Sequence, residues 1–426
     1  MAVLKTDVDS ESSLIKKETG DNQCSQGVDM SEPNRLRFLI ISFEFPPYIG
    51  GASTYAGQLA VGLSNIGHMV EVLTCFHGKN AENCSYDRHL PYRSGLSVVR
   101  FDPVWKWFYL QLRFVLFRRY RDDLTGNFDY VVLADARASR FAMVFFRGRE
   151  RAISIRILHG NEMEKFFANP SFLSRVFGIR RKFAASLEQA RLTLAVSEDL
   201  RAQVVSVFPH LANCVRVVFH GIDLALFRPI SEEDGAMVRR NHKVAPGELL
   251  LVSASRLVEG KGHDRLIESL ALLRQQNFGF KLIILGEGPN RTTLERQVTE
   301  MGLQEVIAFL GGCDRDTVAR YMAAADVFVL VSRLRESFGL VYIEANACGT
   351  PVVAGRSGGV VEAVQDGHSG LLCDPRDVDD IARTIGRMAD ADLRCKLGEN
   401  GLKRARDDFS LEQMARNTID LLAIPE

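Results

Sequence analysis

The sequence predicts an α/β protein: two doubly wound parallel sheets facing each other across a cleft, with a final helix crossing back between them. Three observations predict it. Short apolar runs alternate with helical periods, as buried parallel strands joined by crossover helices require. The alternation stops in a polar stretch at 231–247 and then restarts. The 426 residues, 46% hydrophobic and 25% charged, suffice for two ordinary globular domains.

Taken in order, residues 1–34 are polar, lack the apolar core of a signal peptide and read as a disordered tail. An apolar run at 37–42 then predicts a buried strand, followed by a loop holding Pro46, Pro47, Gly50 and Gly51. A helical period at 53–65, closed by Gly67, leads into a strand at 69–74. Further strands are expected at 97–101, 130–134, 154–158, 192–196 and 215–218, which makes 35–222 the first domain. Residues 223–247 read as a linker. A second domain at 248–405 follows, with strands at 249–254, 281–285, 306–309, 327–331 and 351–354. The segment 406–426 reads as a helix packing back on the first domain. Ligands of such folds bind beyond the carboxyl ends of the strands, here in the cleft.

Composition narrows the partners. Lys plus Arg and Asp plus Glu are both 53, so no net field favours nucleic acid or an anionic membrane, and any basic patch must be argued locally. The eight cysteines form no CxxC pair and no zinc-spaced Cys/His cluster, and suit a reducing, cytoplasmic setting. No run of 18 apolar residues is present, so the chain is expected to be soluble or at most to sit on the inner face of a membrane. Residues 105–121 mix aromatics with Lys106, Arg113 and Arg121. They read either as a buried helix with a basic rim or, less strongly, as a contact for a membrane surface or lipid-linked acceptor.

The most informative motif is ESFGLVYIE at 336–344, two carboxylates with seven residues between them. A turn at Phe338-Gly339 and then a helix put Glu336 and Glu344 roughly 12 Å apart along the axis, too far to share a proton. They can bracket a long ligand whose anionic middle rests on the backbone N–H groups of 337–339. A nucleotide diphosphate sugar has that layout. In SRLVEGKG at 255–262, Arg256 and Lys261 fall beyond a strand end, where a bidentate fork and a compact cation can clamp a diphosphate. Gly260 and Gly262 would allow close backbone approach.

Weaker signals surround these. Gly50-Gly51 could present N–H groups to the same phosphates, although an ordinary turn explains them as well. Neither 49–54 nor 286–291 completes G-x-G-x-x-G, which argues against a dinucleotide-dependent dehydrogenase. His159 follows a predicted strand and could face the cleft, but a lone histidine is more often a satisfied structural group. The Asp377/Asp379 and Asp390/Asp392 pairs read as solvated faces rather than metal ligands.

These residues resemble a known family. RLVEGKG at 256–262, ESFGLVYIEANACGTPVVA at 336–354, GGASTY at 50–55 and HGID at 220–223 are similar to glycosyltransferase family 4, retaining nucleotide-sugar transferases of the GT-B fold. The resemblance spans about residues 36–424 and is most specific in the second half. It implies two facing Rossmann-like domains, a nucleotide-sugar donor, an acceptor hydroxyl, and neither cofactor nor bound metal. It makes Arg256 and Lys261 diphosphate ligands, places Glu336 by the donor sugar, and puts the backbone of Phe338, Gly339 and Leu340 against sugar and phosphate. Glu344 would hold the ribose hydroxyls, Gly51 would approach the phosphates and His159 the sugar. Ser197 would be a further cleft position, and Cys313 would meet the base through its backbone. Ser255, the Ser332-Arg333-Leu334 approach and His220 depart from the usual family residues, and none of them removes a charged ligand.

The expected activity is therefore hexosyl transfer with retention, the catalytic burden falling on Glu336, His159, Arg256 and Lys261. An epimerase or phosphorylase on the same scaffold is the alternative. A non-catalytic sugar-nucleotide-binding module is disfavoured by the full set of charged ligands.

Overall fold

The computed structural model describes residues 35–48, 50–76, 95–102, 108–121, 123–160, 163 and 179–423. The predicted tail at 1–34 and residues 105–107 of the aromatic segment lie outside them. Among the described residues no helix is long and apolar enough to cross a membrane.

The first sheet contains β1 (Arg37–Ile41), β2 (Met69–Cys75), β3 (Leu96–Phe101), β4 (Tyr130–Leu133), β5 (Ser154–Leu158), β6 (Leu192–Ala195) and β7 (Val215–Val217). They lie in the order β3-β2-β1-β4-β5-β6-β7 and every pairing is parallel. The second sheet contains β8 (Leu249–Ala254), β9 (Phe280–Leu285), β10 (Ile307–Gly311), β11 (Val327–Leu330), β12 (Val352–Gly355) and β13 (Gly370–Cys373). Its order, β10-β9-β8-β11-β12-β13, is also all parallel. Each sheet reverses direction between its first and fourth strands, which opens a crevice at their carboxyl ends. Strands such as β8, buried along its whole length, are covered on both faces, so they read as unbroken apolar runs.

Eight helices bear on the site and are labelled here in chain order: α1 (Gly51–Asn65), α2 (Phe108–Tyr120), α3 (Glu198–Val207), α4 (Glu232–Asn241), α5 (His263–Gln275), α6 (Arg315–Ala324), α7 (Leu340–Ala347) and α8 (Leu411–Leu422). Between β7 and β8 the chain is not a plain linker, because α4 forms there. Ser231 caps it, three acidic residues occupy its first turn, and Arg239 pairs with Asp326 at 2.6 Å. That anchors α4 to the second sheet, against α6.

The chain returns to the first domain through α8, which lies along α1 so closely that a Cβ on Gly62 would sit 2.2 Å from the Leu411 carbonyl oxygen. Apolar packing is continuous between the domains. Phe338 stacks on Phe219 (centroids 5.2 Å apart) and on His220 (5.8 Å), and meets Phe409 edge-on.

The sequence reading missed β13, and the Asp-x-Asp pairs have a structural role it did not assign. Asp377 and Asp390 are helix N-caps, each accepting from two backbone N–H groups of the turn that follows.

Candidate functional site

The predicted residues lie on the segments that follow β1, β5, β6, β8, β10 and β11. In the second domain, the chain leaves β8 through residues 255–262 and enters α5 at Gly262. That residue has φ +85, and a Cβ there would meet the Val331 carbonyl oxygen at 1.9 Å. Only glycine fits, and the tight passage holds Lys261 next to the loop after β11. Lys261 Nζ lies 2.7 Å from Glu336 Oε1, and Ser332 Oγ donates to the same oxygen at 2.6 Å. Both charged side chains are largely shielded, 15% and 20% exposed, so their attraction is screened less than a surface pair's. Arg256 is exposed and has no carboxylate partner among the described residues, so its guanidinium is available to an anion.

The ESFGLVYIE segment is only partly helical. Gly339, at φ +99, is the N-cap of α7, and helical residues begin at Leu340. Glu336 therefore precedes the helix, and the helical rise applied above to the whole 336–344 spacing holds only from Leu340 to Glu344. The helix ends at Ala347 with Cys348 as C-cap, and Gly349 follows in the left-handed conformation. Phe338 turns its ring inward and is 2% exposed. Glu344 is buried on the first turns of α7, and Arg315 Nη2 stands 3.3 Å from its Oε1. Burial pushes its carboxyl up to about 7, with Arg315 opposing the shift.

Cys313 sits in the turn between β10 and α6, its thiol directed at the Gly311 carbonyl at 3.5 Å. Desolvation, then the charge of Asp314, raise its pKa.

Across the cleft, Gly51 is the first residue of the fifteen-residue helix α1, with Gly50 as N-cap. Among the described residues a Cβ on Gly51 would meet nothing within 4 Å, so their packing does not require glycine there. His159 follows β5; its Nε2 lies 2.8 Å from the Ala134 carbonyl, which must accept, so Nε2 carries the proton. The His159 ring also meets Tyr55 edge-on at 5.4 Å, and its backbone carbonyl accepts from Ser337 Oγ at 2.6 Å. Ser197 is fully buried and caps α3, its hydroxyl accepting from the Leu200 N–H at 3.1 Å.

Three contacts that sequence reasoning missed join the two domains at this point. Arg335 forms two bonds to Asp199, Glu362 accepts from the N–H groups of Glu198 and Asp199, and Ser337 reaches His159. The partners of Arg335 and Glu362 lie more than 130 residues away in sequence, and no local pattern announces them. Among the described residues no group of three His, Cys, Asp or Glu side chains is placed to hold a metal ion.

Two parallel sheets of this order, with charged loops meeting between their carboxyl ends, are the architecture of the GT-B glycosyltransferases. The profile described as "Glycosyltransferase Family 4" matches residues 49–226, and that of "Glycosyl transferases group 1" matches 237–404. Similar in sequence is the GDP-mannose-dependent alpha-(1-6)-phosphatidylinositol monomannoside mannosyltransferase of Mycolicibacterium smegmatis. It is 31% identical over 398 residues, covering 90% of this chain and 98% of the relative. A D-inositol 3-phosphate glycosyltransferase of Nocardioides is 34% identical over 251 residues, covering 55% of this chain and 54% of the relative. In structure, Anabaena HepE in complex with UDP and glucose superposes with TM-score 0.71 at 22% identity, over 91% of this chain and all of that one. Sucrose-phosphate synthase of Thermosynechococcus elongatus gives 0.70 at 24%, over 91% and 98%. The chain belongs to the family 4, group 1 glycosyltransferases, and it is a transferase enzyme.

Proposed function

We propose that this protein moves a hexosyl unit from a nucleotide diphosphate sugar to an acceptor hydroxyl, with retention at the anomeric carbon and without a catalytic metal. The observation that carries the reading is the Lys261–Glu336 pair beside the exposed Arg256, all beyond the strands that border the second sheet's crevice. Lys261 and Arg256 meet the diphosphate. The N–H groups opening α1 and α7 would supply fixed dipoles that stabilise charge growing on the leaving group. In the transfer the bond from the anomeric carbon to the diphosphate oxygen breaks and a bond to the acceptor oxygen forms. The acceptor proton passes to a phosphate oxygen of the departing nucleoside diphosphate. Glu336 orients Lys261 and lies by the sugar, the Phe338–Leu340 backbone lines the sugar and phosphate, and Glu344 takes the ribose hydroxyls. Gly51 admits the phosphates, His159 borders the sugar, and the backbone at Cys313 borders the base. Retention rests on the family resemblance.

The test is turnover with a panel of GDP-, UDP- and ADP-sugars in the presence of EDTA. Arg256→Ala or Lys261→Ala should lower kcat by about two to three orders of magnitude, as loss of a preorganised charge does. Near wild-type turnover in both would sink the clamp, and an anomeric inversion seen by NMR of the product would sink retention.

A lipid-linked acceptor is favoured by α2. Its Leu112, Leu116 and Tyr120 are buried, while Leu110, Phe114 and Phe117 on the opposite side are 53%, 59% and 57% exposed. Arg118, Arg119 and Arg121 lie at its end, with no acidic residue in the helix. Residues 103–191 hold 17 Lys and Arg against 8 Asp and Glu, in a chain whose totals are equal. An apolar stripe edged by cations matches an anionic bilayer surface at the cytoplasmic face.

A further inference from the structure

Glu344 has a neighbour that neither the motif nor the resemblance assigns. Arg315 is the first residue of α6, beyond a turn in which Asp314 caps the helix. Its guanidinium carbon lies 5.3 Å from the centroid of Phe227, a buried ring in the stretch joining the two domains. Its Nη2 reaches Glu344 Oε1 at 3.3 Å. The aromatic face and the carboxylate hold the two sides of one guanidinium, which is nonetheless half exposed, its side chain at 50%. The second oxygen of Glu344 has no hydrogen-bond partner among the described residues.

We propose that Arg315 is a positioning residue for the donor: it ties down one oxygen of Glu344 and thereby turns the other, as an acceptor, toward the ribose hydroxyls. This rests on the reading of Glu344 as the ribose ligand. The chemistry requires such a partner. Ribose hydroxyls need an acceptor, and a neutral carboxyl offers less acceptor capacity than a carboxylate. In its buried site Glu344 has a carboxyl pushed up to about 7, and Arg315 is the cation that opposes this. Among the described residues, the other titratable group interacting with Glu344 is Cys348 at the end of α7, itself raised by burial and by Glu344. The helix Ala391–Asp408 packs on α7 through Gly401, against Asn346, and on Gly349 just beyond it through Gly398. Phe227 ties the arginine to the interdomain stretch, so the ribose carboxylate is held from outside its own helix.

The experiment is calorimetric titration of the full chain with GDP, UDP and ADP and with their 2′,3′-dideoxy forms. Arg315→Ala should weaken the best-bound nucleotide about tenfold, the size of a lost hydrogen bond to a charged group, and leave its dideoxy form unchanged. Arg315→Lys should recover most of the loss. On acidification the weakening should begin at higher pH in Arg315→Ala than in the wild type, a shift that a purely structural defect would not produce. Equal weakening of both forms, or of neither, would overturn the proposal. Wild-type affinity for the ribonucleotide in Glu344→Gln would overturn the underlying ribose assignment instead, which separates the two failures.

Discussion

Arg335 of the second domain grips Asp199 of the first through two hydrogen bonds, Nη2 to Oδ1 at 2.6 Å and Nε to Oδ2 at 3.0 Å. Arg335 immediately precedes Glu336, and Asp199 lies in the first turn of α3, whose N–H groups also bind Glu362 from the other side of the cleft. The pair thus couples the closure of the two domains to the placement of Glu336.

Exposed ion pairs contribute about 1 kcal/mol or less, so breaking this one should hardly move Tm. Arg335→Ala is nevertheless expected to lower kcat severalfold, because the loop carrying Glu336 loses its anchor on the first domain. Arg335→Asp should be worse, and Asp199→Arg in the same chain should restore activity. Steady-state kinetics with thermal melts reads both quantities. A double swap no better than the single change would remove the latch.

Two glycines should behave in opposite ways. Gly51→Ala adds a methyl group to open space and should fold and melt like the wild type while raising the donor KM at least severalfold. Gly262→Ala places a Cβ 1.9 Å from a carbonyl oxygen at φ +85, and should cost about 1–3 kcal/mol of stability in backbone strain alone. Urea titrations and donor KM values distinguish them; an unchanged KM in Gly51→Ala means that no ligand approaches there.

Acid should destabilise the fold before most of its carboxylates are protonated. His220 and His263 are buried, and desolvation first, then the charges of His159 and Lys261 respectively, hold them down to about 3 and about 4. Their folded values lie below the ordinary value of about 6.5, so from there downward the unfolded chain takes up protons that the folded chain does not. Their contribution is complete above pH 6.5 and shrinks as pH falls. Glu344, raised to about 7, and Glu362, raised by burial, act in the opposite direction below neutrality, against His220, His263 and His242, the last also lowered by burial. Urea midpoints at pH 7.5 and pH 5 should therefore fall together with pH, and the drop should be smaller in His220→Asn with His263→Gln. An equal drop would assign acid sensitivity elsewhere.

The exposed stripe of α2 should bind vesicles. Sedimentation with phosphatidylglycerol-rich liposomes at low salt is expected to capture the wild type. Phe114→Ser with Phe117→Ser should lose that binding and keep its Tm, because both side chains are already largely in water. Equal binding of wild type and variant, or of neither, would remove the helix as a membrane contact.

How much of this was legible beforehand follows from where each signal lies. Most strands of both sheets announced themselves, because a buried parallel strand must be apolar on both faces. β13 (Gly370–Cys373) opens on a glycine and offers an apolar run of only Leu371, Leu372 and Cys373 before Asp374, so it did not stand out, and α4 was hidden in a polar stretch whose helical character depends on packing against α6. The 336–344 and 255–262 motifs showed their chemistry because glycine, cation and carboxylate are local choices with local reasons. What the sequence by itself determined was the two-sheet plan and the charged residues that the loops carry. The tertiary structure alone decided their partners: Lys261 on Glu336, Arg315 on Glu344, Arg335 on Asp199 and Ser197 spent as a buried cap. The physical reason is range, since periodicity and turn chemistry act over a few residues, whereas pairs between distant loops are set by how whole elements and domains pack.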